Sequence, residues 1–143
     1  MARFMNKIDA KGRIFVPAKV RDKIGPRMFV TVNQDKNYLS VYSEERFDRI
    51  CDAFDNIPTT TPEILKARRA IIGEALECEI DSQGRISVTS ELWERIGAKP
   101  SSEICIYQLR DMLEICTAAY YESSKESEAE GSFDLQNYEI RGL

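Results

Sequence analysis

The alternation of apolar and polar residues predicts short strands and short helices that occur twice along the chain. Residues 7–25 (KIDAKGRIFVPAKVRDKIG) and 79–97 (EIDSQGRISVTSELWERIG) align without a gap at an offset of 72 residues. Each copy predicts a strand, a tight Asp-x-x-Gly turn, a second strand and a short helix that ends at a glycine. A hairpin follows each helix, with predicted strands at 28–32 and 39–42, then at 104–109 and 112–117. The pattern therefore predicts two copies of one supersecondary unit.

Helical spacing predicts further helices between and after the two repeats. One spans 44–54 behind Ser43, one begins at Thr61 and Pro62 and stops near Gly73, and one covers about 118–125. The polar, acidic stretch 122–132 predicts a linker. The expected organisation is 1–55 as the first repeat with its trailing helix, 56–74 as a connecting helix, 75–125 as the second repeat with its helix, and 126–143 as an acidic tail. The fold class expected is mainly β with short helices (α+β).

Composition narrows the classes of function. Apolar residues make up 43% of the chain, enough for a core, and no apolar run approaches the roughly 20 residues that span a bilayer. No apolar signal segment follows the N-terminus, so we expect a cytoplasmic protein without a membrane partner. Histidine is absent, which excludes Ser-His-Asp and Cys-His nucleophiles. We expect no metal, cofactor or small-molecule substrate, and free thiols at Cys51, Cys78, Cys105 and Cys116.

Charge is distributed unevenly along the chain. The whole sequence has a net charge of −4, but residues 1–27 hold eight basic groups against Asp9 and Asp22, a local net charge of +6. Because a local basic patch governs attraction to phosphates, this segment predicts a polyanionic partner. The candidate contacts are the basic residues in and near the first repeat: Arg3, Lys7, Lys11, Arg13, Lys19 and Arg21.

The doubled motif resembles a known family. The sequence D-x-K-G-R-I-x-V-P-A-K-x-R at 9–21, with the weaker D-x-x-G-R-I-x-V at 81–88, resembles the MraZ family of bacterial transcriptional regulators over about residues 3–125. A single copy would indicate only the wider AbrB-like superfamily. The resemblance implies two halves interlocked as a swapped-hairpin β-barrel, a ring-like homo-oligomer, and binding to short direct repeats in double-stranded DNA. It also implies nucleoid association, and DNA contacts by Arg13 and Arg85 with Lys11 beside them.

The residues of each turn suit this role. Asp9 and Gly12, like Asp81 and Gly84, are expected to shape the turns, and the planar arginine fork binds phosphate or guanine at two points. In an alternative interpretation, each arginine only bridges the aspartate of its own turn. The second repeat has Gln83, Thr89, Glu91 and Trp93 where the first has Lys11, Pro17, Lys19 and Arg21. We therefore expect the first turn to dominate DNA contact. Large aromatic residues, Phe15 among them, are expected in the core or at subunit contacts rather than stacked on bases, and Trp93 at an intersubunit face.

Two rival functions remain. Asp9 and Asp81 could form an aspartic-peptidase dyad, but the Asp-x-x-Gly spacing differs from that of such enzymes, and the nearby arginines would keep both carboxylates ionised. We therefore predict no enzyme. An AbrB-like antitoxin, whose acidic stretch 122–130 would mask a toxin, is the alternative to the preferred hypothesis of a sequence-specific DNA-binding regulator, expected to be a repressor.

Overall fold

The strands and helices occur in the order that the repeat predicts. A computed structural model describes residues 2–58, 60–129 and 133–143, without the side chains of residues 125–129. The elements are β1 (Ala2–Lys7), β2 (Arg13–Phe15), α1 (Ala18–Ile24), β3 (Arg27–Val32), β4 (Leu39–Ser43), α2 (Glu44–Asp55), α3 (Pro62–Arg68) with a π-helical continuation (Arg69–Gly73), β5 (Leu76–Glu79), β6 (Arg85–Ser87), α4 (Ser90–Arg95), β7 (Glu103–Leu109), β8 (Met112–Thr117) and α5 (Ala118–Ala129).

Three of the helices have a hydroxyl side chain as their N-cap. Ser43 accepts a hydrogen bond from the backbone N–H of Arg46 at 3.1 Å, and Thr61 accepts one from Ile64 at 3.4 Å. Thr89 accepts one from Leu92, also at 3.4 Å. Each bond satisfies an amide that the helix itself leaves unpaired, so the helix starts predicted at Ser43 and Thr61 are confirmed, and Thr89 is the cap of α4.

Six strands form one antiparallel sheet in the order β1-β7-β8-β4-β3-β5. The first strand of each repeat pairs with the hairpin of the other: β1 lies against β7, and β5 lies against β3. The predicted mainly β fold with short helices is confirmed, and the exchange of strands interlocks the two repeats. Within the part of the chain that the structure describes, β1 and β5 end this order, so the hydrogen-bonded ladder is an open sheet.

The two remaining strands, β2 and β6, form a separate two-stranded sheet, which we call the ribbon. Its cross-strand pairs are Arg13 with Ser87, Ile14 with Ile86, and Phe15 with Arg85. Because Ile14 and Ile86 occupy equivalent positions in the two repeats, an approximate two-fold axis passes between them. The ribbon is therefore the place where the two copies of the motif meet.

One core lies between the six-stranded sheet and the ribbon with α1 and α4. Alternate residues of the sheet point into it, and both repeats contribute fully buried residues: Ile8, Ile14, Val20, Met28, Val30, Leu39, Val41, Ile86, Trp93, Ile104, Ile106, Leu113 and Ile115. On the opposite face of the sheet, Phe29 stacks on Phe47 of α2 with ring centroids 4.3 Å apart. Packing on both faces makes the sheet a rigid base for the ribbon. The division of the chain into 1–55, 56–74, 75–125 and 126–143 stays a prediction.

Several local expectations were wrong. Helix α5 continues to Ala129, although residues 122–132 were predicted to be a linker; Glu, Lys and Ala favour helix. The hydroxyl group of Ser123 bonds back to the carbonyl oxygen of Tyr120 at 3.0 Å. Residues 130–132 of the predicted linker lie outside the described residues. Trp93 belongs to the core rather than to an intersubunit face, with 1% of it exposed. Phe15 is 51% exposed, so it lies outside the core, and a subunit contact at this residue stays a prediction.

The cysteines match the expectation. All four are free thiols, three of them buried, while Cys51 is half-buried in α2. Burial raises the pKa of Cys78 to about 11, and burial next to Cys105 raises the pKa of Cys116 to about 12. The buried thiols thus behave as small apolar side chains.

Candidate nucleic-acid interface

The first turn is held together by one carboxylate. Asp9 Oδ1 accepts hydrogen bonds from the backbone N–H groups of Lys11 and Arg13, both at 2.9 Å. Its Oδ2 accepts a third bond, from Arg13 Nε at 2.7 Å. Gly12 has a φ of +82°, in the left-handed region that favours glycine. The backbone amide of Arg13, together with its side chain, lowers the pKa of Asp9, so the carboxylate is ionised at neutral pH.

The second turn repeats this geometry. Asp81 Oδ1 accepts bonds from the N–H groups of Gln83 and Arg85 at 2.9 Å, and Oδ2 accepts Arg85 Nε at 2.9 Å. Gly84 has a φ of +81°. The predicted roles of Asp9, Gly12, Asp81 and Gly84 in shaping the turns agree with these contacts. The aspartate clamps also match the alternative in which each arginine bridges its own turn.

Bridging engages only part of each arginine. Both clamps use Nε, and among the described contacts the two Nη groups of Arg13 and of Arg85 have no partner. The side chains are 26% and 18% exposed, respectively. A guanidinium fixed through Nε keeps its outer edge available, and fixing the group in advance reduces the entropy lost when that edge binds a ligand.

Each turn is completed by the other repeat. The carbonyl oxygen of Gly12 accepts bonds from the N–H of Val88 at 3.2 Å and from Trp93 Nε1 at 3.0 Å. The carbonyl oxygen of Gly84 accepts the N–H of Val16 at 2.9 Å. The relative position of the two turns is therefore fixed by backbone hydrogen bonds across the ribbon.

Arg21 lies at the second turn, not the first. Its Nε donates to the carbonyl oxygen of Val16 at 2.8 Å, and its guanidinium covers Gly84, where an added Cβ would stand 2.5 Å from Cζ. Arg21 and Trp93 occupy equivalent positions in the repeats, and each covers the turn glycine of the other repeat. The cations are therefore arranged differently around the turns than along the sequence: Lys11 and Arg13 lie at turn one, while Arg85 and Arg21 lie at turn two. Each turn has two cations against one carboxylate.

The outward face of the ribbon carries four side chains. Strand alternation places Ile14 and Ile86 inward, where both are buried, and leaves Arg13, Phe15, Arg85 and Ser87 on the other side. Arg13 and Arg85 are diagonal neighbours in this register, a relation that separates residues by roughly 7–8 Å. Phe15 and Ser87 also belong to this face, although neither was predicted from the sequence as a site residue. The alternation in Arg-Ile-x-Val was the signal that could have shown it.

The other candidate cations are spread more widely. Lys11 is exposed in turn one, and Lys7 is exposed at the end of β1. Lys19 lies over the ring of Phe4, with Nζ 5.6 Å from the centroid. Arg3 lies over Tyr121 at 4.7 Å, and the rise of a strand places it roughly 20 Å along the chain from Asp9. Arg3 therefore belongs to the α5 side of the sheet. Lys7 lies on the same face of β1, two residues before Asp9, and Lys11, Arg13, Arg21 and Arg85 lie at the turns.

Two further features bear on the class of site. In the described part of the chain, no three histidine, cysteine, aspartate or glutamate side chains come together in a way that could hold a metal ion. Among the helices described, none has both the length and the apolar character required to cross a bilayer.

Comparison with known proteins identifies relatives along nearly the whole chain. The family model described as "MraZ protein, putative antitoxin-like" matches residues 2–68 and 71–139. A protein named Transcriptional regulator MraZ from Caldanaerobacter subterraneus subsp. tengcongensis is 32% identical over 89% of this chain and 87% of its own. The protein of that name from Thermoanaerobacter sp. (strain X514) is 34% identical over 85% and 83%. That from Desulforamulus reducens is 32% identical over 94% and 92%.

Among solved structures, the solution structure of PHS018 from Pyrococcus horikoshii covers 81% of this chain and 87% of its own, at 15% identity and a TM-score of 0.32. That likeness is too low to inform the site. The family match spans both repeats, and the relatives share about a third of their residues with this chain over most of its length. The chain belongs to the MraZ family.

Proposed function

We propose that this protein is a sequence-specific DNA-binding transcriptional regulator that contacts DNA through the ribbon and its two turns. The observation that carries the proposal is the pair of aspartate-clamped arginines, Arg13 and Arg85, which lie on one outward face with their Nη edges unpaired. The relatives named as transcriptional regulators support the same function. Residues Lys11, Arg21 and Lys7 add positive charge around the turns.

The two-stranded form of the ribbon, with strands roughly 5 Å apart, suits a DNA groove. The major groove of B-DNA is about 12 Å wide and admits a two-stranded β-ribbon. Gly12 and Gly84 mark the two ends of the ribbon, four residues apart along β2 in its register, or roughly 13 Å at the rise of a strand. An arginine fork held by a carboxylate can bind guanine O6 and N7, whereas lysines near the turns position the protein on phosphates.

Both turns are expected to contribute to binding. The sequence favoured the first turn, because the second lacks an equivalent of Lys11. Arg21 supplies the missing cation from the first repeat, since its guanidinium covers Gly84. We therefore propose that Arg13→Ala and Arg85→Ala weaken DNA binding to similar extents. A much smaller effect of Arg85→Ala in a gel-shift series would instead support the expectation that the first turn dominates DNA binding.

The two halves of the ribbon's outward face are not equivalent. An exact two-fold axis through Ile14 and Ile86 would favour palindromic DNA, but Phe15 faces Arg85 while Ser87 faces Arg13. An asymmetric face favours direct repeats, and several copies of the chain on such repeats would gain avidity of the order of 10²–10⁴ when the spacing matches. We propose a homo-oligomer, ring-like in form, acting as a repressor in the cytoplasm at the nucleoid.

A non-enzymatic function fits the turns. Each aspartate is bound to its own arginine and its pKa is lowered, whereas an aspartic-peptidase dyad must share a proton between two carboxylates. A pepstatin-sensitive peptidase activity in the purified protein would contradict this part of the proposal.

Selection from a random DNA library with the purified protein, together with its mass in solution, tests the proposal. We expect a set of short direct repeats and an oligomer, with an affinity that falls steeply as salt rises. A library that yields no enriched sequence would contradict DNA recognition.

An antitoxin is the second candidate, favoured by the antitoxin-like description of the family model. The tail 133–143 also exposes apolar side chains that a toxin could cover: Phe133, Leu135, Tyr138, Ile140 and Leu143. Co-purification with a small basic protein, lost on deletion of residues 133–143, would support it. Recovery of the chain without such a partner would count against it.

A further inference from the structure

Phe15 is an exposed aromatic side chain on an otherwise polar, cationic surface. It is 51% exposed although the core lies directly beneath the ribbon. The reason is register: Ile14 occupies the inward position, so Phe15 must point outward. The backbone at this point is fixed, because the carbonyl oxygen of Phe15 accepts a hydrogen bond from Asn6 Nδ2 at 2.9 Å. A large apolar group is therefore held in solvent by a rigid strand.

The neighbours of Phe15 indicate what covers it. Arg85 is its direct cross-strand partner, and Arg13 lies two residues away on the same face. Directly opposite residues in such a pair have Cβ atoms about 5 Å apart. Two guanidinium groups beside an apolar ring favour a partner that combines strong negative charge with an apolar spot. Double-stranded DNA has both, because the C5 methyl group of thymine projects into the major groove between phosphate backbones.

We propose that Phe15 is a specificity-determining residue that packs against a thymine methyl group when the ribbon enters the major groove. This inference rests on the proposed DNA-binding function and adds to it the identity of one base. Ser87, the equivalent residue in the second repeat, presents a hydroxyl group at the matching position. The thymine is therefore read on one side of the ribbon only, beside the base that Arg85 contacts.

Replacing thymine by deoxyuridine removes only the methyl group, so it tests this contact directly. The duplex recovered by library selection is prepared with each thymine replaced in turn, and binding is measured by fluorescence anisotropy. For the unmodified protein, one position is expected to lose about fourfold in affinity, the equivalent of one buried methyl group (~0.8 kcal/mol) at 1.4 kcal/mol per tenfold. The Phe15→Ser variant should bind the thymine and deoxyuridine duplexes equally.

Two controls separate recognition from structure. Phe15→Leu keeps an apolar side chain and should retain most of the methyl dependence, while fluorescence of Trp93 and the mass in solution should be unchanged in both variants. A scan that is flat for the unmodified protein would overturn the role of Phe15 and leave the DNA-binding proposal intact. The same methyl dependence in Phe15→Ser would also overturn it. Loss of the oligomer in Phe15→Ser would assign the residue to a contact between copies, and failure to select any DNA would overturn both proposals.

Discussion

The two turn glycines provide a matched pair of substitutions whose costs should differ. A Cβ atom at Gly12 would stand 2.7 Å from the backbone carbonyl oxygen of Val88, a distance that real Cβ atoms essentially never show. The three atoms nearest to a Cβ atom at Gly84 all belong to the guanidinium of Arg21, the flexible end of a long side chain. Both residues have a positive φ. The same chemical change therefore meets a rigid obstacle at one turn and a movable one at the other.

The structure allows the two costs to be estimated. A left-handed conformation costs an alanine about 1–2 kcal/mol at either site. At Gly12, forcing the ribbon away from the added methyl group adds about 1–3 kcal/mol, so Gly12→Ala should lose about 2–5 kcal/mol of unfolding free energy. Gly84→Ala should lose about 1–2 kcal/mol, plus about 0.5–1.5 kcal/mol if the hydrogen bond between Arg21 and Val16 is lost.

Urea unfolding at matched protein concentration, followed by the fluorescence of Trp93, measures both losses. Trp93 is the sole tryptophan of the chain and is buried, so its emission reports the core that both repeats share. In an Arg21→Ala background, Gly84→Ala should become less costly, while Gly12→Ala should not change. An unchanged cost of Gly84→Ala in the Arg21→Ala background, or an effect of Arg21→Ala on the Gly12 substitution instead, would refute the assignment of these contacts.

Three other outcomes follow from the contacts around the ribbon. Asp9→Asn should lower stability at neutral pH, and the difference in unfolding free energy from the unmodified protein should shrink as pH falls below about 4. The pKa of Asp9 in the folded protein lies below its ordinary 3.8. The stabilisation from the carboxylate is therefore present above the unfolded-state pKa and is lost as pH drops through the folded-state pKa. Urea midpoints between pH 7 and 3 check this, and a difference that grows in acid would oppose it. Trp93→Phe removes the hydrogen bond from Nε1 to the carbonyl oxygen of Gly12, while that oxygen still accepts the bond from the N–H of Val88. We therefore expect the lost hydrogen bond to lower the unfolding free energy by about 0.5–1.5 kcal/mol, measured by thermal unfolding followed by circular dichroism. No loss of stability would argue against the bond. Cys51 should react first with a thiol reagent in the native state, because Cys78, Cys105 and Cys116 are buried, and a fast phase that survives in Cys51→Ser would contradict this.

Local patterns along the chain account for much of the fold. The 72-residue repeat, strand alternation and helical spacing located both turns, both hairpins and the helix starts at Ser43 and Thr61 without knowledge of the tertiary structure. The pairing of β1 with β7 and of β5 with β3 could not be derived from periodicity, because an alternating strand specifies which face is buried but not which strand lies beside it.

The site was predicted less completely than the fold. Arg13 and Arg85 followed from the motif, but the neighbours of each turn depend on how the repeats cross. Arg21 was listed with the first repeat, to which it belongs in sequence, whereas the crossing of the repeats brings it to Gly84 in the second turn. Trp93 replaces that arginine in the second repeat, and its burial over Gly12 could not be inferred while the crossing was unknown. Charge counted along a sequence therefore located a basic region but not its arrangement.

DNA binding by Arg13 and Arg85 is tested most directly by removing both guanidinium groups from an otherwise intact protein. The Arg13→Gln/Arg85→Gln variant is compared with Arg68→Gln/Arg141→Gln, which removes the same charge at exposed positions in α3 and the tail. Anisotropy titrations use the selected duplex, and urea midpoints verify the fold of both variants. The first variant should lose about 30-fold or more in affinity, since each bidentate base contact contributes roughly 1–3 kcal/mol, while the second stays close to the unmodified protein. Equal affinities for the two variants would contradict the account.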